Sequence, residues 1–267
     1  PSLQLGDILK RSQSAVFFSA TLTPMNYFID LFGSGDETKR LSIPSPFPPQ
    51  NRCVIVCANI TTRYRLRKKS QPDVVAAIQA TLNSRPGNYL FFFPSHQYLQ
   101  DIHSAFKKIG VEATIEMQTP QMDEEERERF IAHFNETAPG TRIAFAVMGG
   151  IFGEGIDLSG DRLNGVAIIG VGLPAITWQN ELIKDYFQQK TAQGYAYAYV
   201  YPGINRVLQA AGRVIRSENE TGLIMLIDDR FNTASYRNLL PSDWQIEKAL
   251  NSNDIQKKIK KFQRKTP

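Results

Sequence analysis

Short apolar runs alternate along the chain with longer segments in which apolar residues recur every third or fourth position. The runs at 15–20, 53–58, 88–93, 113–117, 142–147, 165–171 and 222–227 predict strands. The periodic segments at 25–32, 72–82, 96–109, 123–135, 177–189 and 205–216 predict helices. Strand and helix in regular alternation imply an α/β fold, a mostly parallel sheet flanked by helices. Between 33 and 51 the pattern lapses into GSGDETKRLSIPSPFPPQN, rich in glycine and proline, which reads as a linker or crossover. The chain is therefore expected to divide into 1–35, the end of one structural unit, 36–52, the crossover, 53–240, a second unit, and 241–267, a basic helix or tail.

In open α/β sheets ligands bind beyond the carboxyl ends of the strands, and three such ends carry chemistry. FFFPSHQ leaves a strand through Pro94 and offers Ser95 as the N-cap of the next helix, where free amides face an anion. VMGGIFGEGIDLSG leaves another through Gly149 and Gly150, then Glu154, Gly155 and Asp157. VFFSATLTP leaves a third through Ser19 and Thr21. A glycine loop alone is a weak signal, because glycine also serves any tight turn.

The most distinctive stretch is NRVLQAAGRVIRSENETG, 205–222. On a continuous helix Gln209, Arg213 and Arg216 fall at i, i+4 and i+7 and project from one face. Small neighbours, Ala210, Ala211 and Gly212, leave room for a close approach. A pair of arginines suits phosphate, which the planar guanidinium holds bidentately. The competing reading is an ion-pair network with Glu218 and Glu220.

Charge sharpens this picture only locally. Net charge is +5 and the pI about 9.1, but residues 63–70, RYRLRKKS, carry five cations and no acid, and 257–265, KKIKKFQRK, carry six. Arg63, Arg65 and Arg67 are candidates to follow a phosphate backbone, with Tyr64 able to stack on a base. In the tail, Ile255, Ile259 and Phe262 form an apolar stripe that would instead dock a helix with a solvated outer face. Cys53 and Cys57 share one face of a predicted strand about 13 Å apart, too far for a disulfide. Two cysteines and three unspaced histidines, His96, His103 and His133, give no iron–sulfur or other metal ligand set. With neither a membrane-length apolar run nor a secretory leader, the expectation is an intracellular, cytoplasmic protein; separately, a monomer is expected.

Taken in order, SATL, FFFPSHQ, GEGID, QAAGRVIR and LIDDRF resemble the second half of a superfamily 2 DNA helicase of the XPD/DinG family, with helicase motifs III, IV, V and VI. That resemblance spans roughly 15–231 and implies a RecA-like second motor domain. It implies that Arg213, Arg216 and Gln209 reach the phosphates of ATP, Arg216 as the arginine finger. It further implies that Gly155, Asp157 and Glu154 serve the nucleotide, that Ser95, Gly149 and Gly150 touch single-stranded DNA, and that Ser19 and Thr21 couple the motor domains. Trp178 lies where the family pattern departs, as a core anchor or a partner contact. The chain contains no G-x-x-x-x-G-K-[ST] loop and no D-E-x-H box. The expected partner is thus a neighbouring motor domain of the same protein, supplying the lysine and Mg²⁺ half of the ATP site. On this reading the isolated chain is inactive and the intact enzyme moves 5′ to 3′. The rival reading is a nucleic-acid-binding or partner-docking domain that keeps the fold without the motor, and an RNA substrate stays open.

Overall fold

The computed structural model describes residues 2–35, 37–134, 140–150, 152, 158 and 162–264. In chain order its α-helices of eight residues or more are α1 (Ser2–Leu9), α2 (Met25–Phe32), α3 (Arg67–Ser84), α4 (His96–Lys107), α5 (Glu124–Ala132), α6 (Trp178–Thr191), α7 (Tyr201–Ala211) and α8 (Ser252–Gln263). Its strands are β1 (Arg52–Cys57), β2 (Asn88–Phe93), β3 (Thr114–Met117), β4 (Arg142–Val147), β5 (Gly165–Ile169), β6 (Gly222–Ile227) and β7 (Ile246–Ala249). Two compact units emerge, one of 1–44 with 173–205, the other of 45–172 with 206–267.

The larger unit is a seven-stranded sheet in the order β3-β4-β2-β5-β6-β1-β7, every described pairing parallel. Parallel strands covered on both faces need apolar residues at every position. NYLFFF in β2 and GLIMLI in β6 accordingly have no exposed residue. Alternate residues, Ile55, Phe91, Phe93, Phe145, Ile169, Met225 and Ile227 among them, face one core with Val74 and Ile78 of α3, Leu99 and Ile102 of α4, and Ile255 and Ile259 of α8. The edges are short and polar: β3 reads TIEM and β7 reads IEKA, and such edges resist pairing with other chains.

The tail is docked, as its apolar stripe required. Ile255 and Ile259 are buried, Phe262 packs against the core, and Lys258 pairs with Glu247 of β7 at 2.8 Å. Cys53 and Cys57 are buried free thiols, the latter pushed up to about 12 by burial.

Three expectations need correcting. The run 15–20 forms no strand: no described strand pairs with it, and Val16 and Phe18 stand 82% and 90% exposed. An apolar run becomes a strand only where another strand accepts its hydrogen bonds. Conversely β7 went unrecognised, because a four-residue edge strand with two charges carries little apolar signal. The helix expected over 205–216 ends at Ala211.

The smaller unit is built on aromatic packing. Tyr27 of α2, Phe187 of α6 and Tyr197 form its core, with the Phe187 and Tyr197 rings stacked at 4.2 Å. The Tyr197 hydroxyl donates to Asp30 and that of Tyr199 donates to Glu181 at 2.6 Å. Trp178 and Leu182, one turn apart on α6, remain 74% and 63% exposed, so Trp178 is no core anchor.

Candidate functional site

Within the larger unit every strand delivers its carboxyl end to the same edge of the sheet. Neighbouring β4 and β2 bring Gly149 and Gly150 beside Ser95, joined by the Met148 amide donating to Phe93 at 2.8 Å. Ser95 caps α4, its hydroxyl accepting from the Tyr98 amide at 3.3 Å, which is the N-cap that the sequence predicts. Gly149 has φ +75°, and a Cβ there would stand 2.9 Å from Nε of Arg206, so a guanidinium lies directly against this glycine. The amide of Val147 is held by the Gln118 side chain at 2.8 Å. Neither Arg206 nor Gln118 figured in the sequence reading. Glu154, Gly155 and Asp157 lie outside the described residues.

The arginine loop is not the helical face the spacing suggests. After α7 the chain tightens, Gly212 donating to Leu208 at 2.9 Å and Arg213 and Val214 reaching back three residues to Ala210 and Ala211 at 3.3 Å each. Gln209 therefore stands on the helix, while Arg213 and Arg216 stand on the loop that follows. Two buried residues between them, Val214 and Ile215, pin this loop to the body and leave the arginines half-buried on either side. The Glu220 carboxylate accepts from the backbone amides of Arg216 and of Ser217, the latter at 2.8 Å. The expected rival, an acid engaged with this segment, is thus partly realised through the backbone.

Gly222 completes the anchor. A Cβ on it would fall 1.9 Å from Cγ1 of Val214, a separation no packed pair of carbons allows. Gly222→Ala should therefore displace Val214, and with it both arginines, at a cost of about 1–3 kcal/mol for overpacking. Urea unfolding of the chain checks this, and an unchanged midpoint would mean that Val214 repacks without strain.

A second cluster joins β6 to β1. Asp228, fully buried, follows the last residue of β6. It accepts from the Thr62 amide at 3.1 Å and from the Thr62 hydroxyl, and from Arg230 through Nε at 2.7 Å, Nη2 at 2.9 Å and the backbone amide at 2.9 Å. Burial pushes this carboxyl up, but the hydrogen bonds and charge of Arg230, aided by Thr62, outweigh it and hold Asp228 below its ordinary value. Gly170, with φ +98°, turns the chain out of β5 so close to this cluster that a Cβ would meet Thr62 Oγ1 at 3.1 Å.

Thr62 in turn fixes the start of the cationic run. Its carbonyl accepts from Arg67 Nε at 3.1 Å, and the Arg67 guanidinium lies over the ring of Tyr98 at 4.5 Å and that of Tyr64 at 5.6 Å. Tyr98 is buried, and desolvation pushes its hydroxyl up to about 12. Arg63 grips the Asp229 carboxylate at 2.7 and 2.6 Å, whereas Arg65 is exposed. In the smaller unit the hydroxyls of Ser19 and Thr21 are exposed and 3.3 Å apart, with the Thr21 amide donating to Ser19 at 3.2 Å. Among the described residues no cluster of three His, Cys, Asp or Glu side chains is placed to hold a metal ion, and no helix is long and apolar enough to cross a membrane.

Residues 78–247, well over half of the chain, match the family described as the helicase C-terminal domain. The chain belongs to that family. It is 26% identical over 275 residues to the ATP-dependent DNA helicase CHL1 of Scheffersomyces stipitis, a match covering 91% of this chain and 32% of that protein. It is 27% identical over 281 residues to a regulator of telomere elongation helicase 1 homolog of Aedes aegypti, covering 96% and 27% respectively. The chain thus spans about a third of the length of the curated relatives it matches. Among solved structures it is similar to an XPD helicase, with a TM-score of 0.70 at 18% identity over 93% of this chain and 45% of that one, and to S. tokodaii Xpd4, with 0.57 at 16% over 92% and 47%. The RecA-like fold of a helicase C-terminal motor domain and the kinship with XPD/DinG helicases, both implied by the motifs, are borne out.

Proposed function

We propose that this helicase C-terminal domain supplies the arginine half of an ATP site in a DNA helicase that couples ATP hydrolysis to movement along single-stranded DNA. The observation that carries this is the loop of Arg213 and Arg216, held by buried Val214 and Ile215 so that two half-buried arginines flank one anchored turn. Preorganised cations of this kind stabilise charge on a transferring phosphoryl group. Arg216 acts as the arginine finger, with Arg213 beside it on the phosphates and Gln209 assisting at the γ-phosphate. Glu154, Gly155 and Asp157 serve the nucleotide, Ser95, Gly149 and Gly150 the DNA backbone, and Ser19 and Thr21 the coupling between motor domains. Bound ATP supplies the phosphoryl group, and the Mg²⁺ ligands come from the neighbouring motor domain. Residues 1–35 close that neighbour, 36–52 cross over, 53–240 form the second motor domain and 241–267 its tail. β7, at Ile246–Ala249, joins the start of that tail to the sheet of the second motor domain.

A second reading, a partner-docking module, draws on the exposed apolar pair Trp178 and Leu182. The two readings separate on the 267-residue chain itself. By the half-site reading it hydrolyses no ATP alone yet binds single-stranded DNA with an affinity that falls steeply with salt. Robust hydrolysis by the chain would overturn the half-site reading, and no DNA binding even at low salt would favour the docking module.

A further inference from the structure

We propose that Tyr64 is a base-stacking platform for single-stranded nucleic acid, with Arg65, Lys68 and Lys69 holding the phosphates beside it. The proposal rests on the DNA-binding part of the function above and gives that surface its reading group. Tyr64 is 84% exposed, so its ring contributes little to the core. Yet the ring has a fixed neighbour: the Arg67 guanidinium lies over both it and the ring of Tyr98, 5.6 Å from one centroid and 4.5 Å from the other. Arg67 is itself fixed through Thr62, and Thr62 through the buried Asp228. A chain of contacts that starts at buried Asp228, at the carboxyl end of β6, thus ends on an aromatic ring that stands mostly in water. Aromatic rings so placed accept any base, because every base has a flat face.

The cations divide into two kinds. Arg63 is committed to Asp229, and Arg67 to Thr62 and Tyr98, so these two brace the platform. Arg65, Lys68 and Lys69 are exposed and form no ion pair among the described residues. They crowd the start of α3, where the helix dipole disfavours positive charge. A polyanion laid along this turn relieves that repulsion, and an exposed ring among the charges favours a polyanion that carries bases.

The test measures fluorescence anisotropy of the chain with a thymidine oligonucleotide of about twelve residues and an abasic strand of equal length and charge. Tyr64→Ala should weaken thymidine binding by about 5- to 100-fold, leave abasic binding within about twofold, and leave the salt slope unchanged. Tyr64→Phe should bind as the wild type does. The double change Lys68→Gln, Lys69→Gln should weaken both strands and flatten the salt slope by about 0.7 per charge removed. Equal losses on both strands, or none, with Tyr64→Ala would overturn the stacking role while leaving the helicase reading intact. Wild-type binding to neither strand would remove the DNA-binding reading as well. Equal affinity for a poly-glutamate peptide of matching charge would overturn the proposal in favour of a protein partner.

Discussion

On the proposed function, Arg216→Ala, introduced into a polypeptide that also carries the neighbouring motor domain, is expected to lower single-stranded-DNA-stimulated ATP hydrolysis by about 10³-fold or more. The loss should fall on kcat, because an arginine finger meets charge that develops in the transition state rather than in bound ATP. Glu220 holds the backbone amides of Arg216 and Ser217, and Val214 and Ile215 are buried, so removing the side chain leaves these anchors in place. Arg216→Lys should recover little, since an ammonium cannot reproduce the planar fork. The same effect falling on KM with kcat intact would assign Arg216 to ground-state binding. An unchanged rate would remove the arginine-half reading altogether.

Much of this fold is legible in the sequence because the central strands are buried on both faces, and burial there demands a continuous apolar run. NYLFFF and GLIMLI are six-residue runs, too short for a buried helix and bounded by turn residues, and so read as strands. Ser95 was legible for a local reason, a capping residue between a strand and an apolar-periodic segment. What escaped was set by distant partners. The stretch 15–20 has strand composition but no partner strand among the described residues, while β7 has a partner and little strand composition. AAGRVIR reads as helix through Arg216, yet packing of Val214 on Gly222 and the Glu220 acceptor bend it away after Ala211. Asp228 announced itself only as an acid ending an apolar run. Its partner Thr62 lies 166 residues away in sequence, and no local pattern reports that. The cationic run likewise looked uniform, whereas the fold commits Arg63 and Arg67 and leaves Arg65 outside.

Asp228→Ala should strongly destabilise the larger unit, lowering its unfolding free energy in urea by about 3 kcal/mol. The carboxylate is fully buried, and its removal strands the Thr62 amide and hydroxyl together with the Arg230 guanidinium, which is only 17% exposed. Leaving one charge of a buried pair without its partner typically costs about 3–5 kcal/mol. The partial exposure of Arg230 places the expectation at the lower end. Asp228→Asn keeps the acceptor and the volume and should cost less. The pH dependence follows from the depressed pKa of Asp228. A carboxyl that is more acidic folded than unfolded contributes fully above its unfolded value, about 3.9, and the contribution is lost as pH falls through the lower native value. The wild-type advantage over Asp228→Ala should therefore stay level from about pH 5 to 8 and shrink only below about pH 4. An advantage that instead faded between about pH 6 and 8 would point to a histidine, and Asp228 would not be the group that holds the cationic run in place.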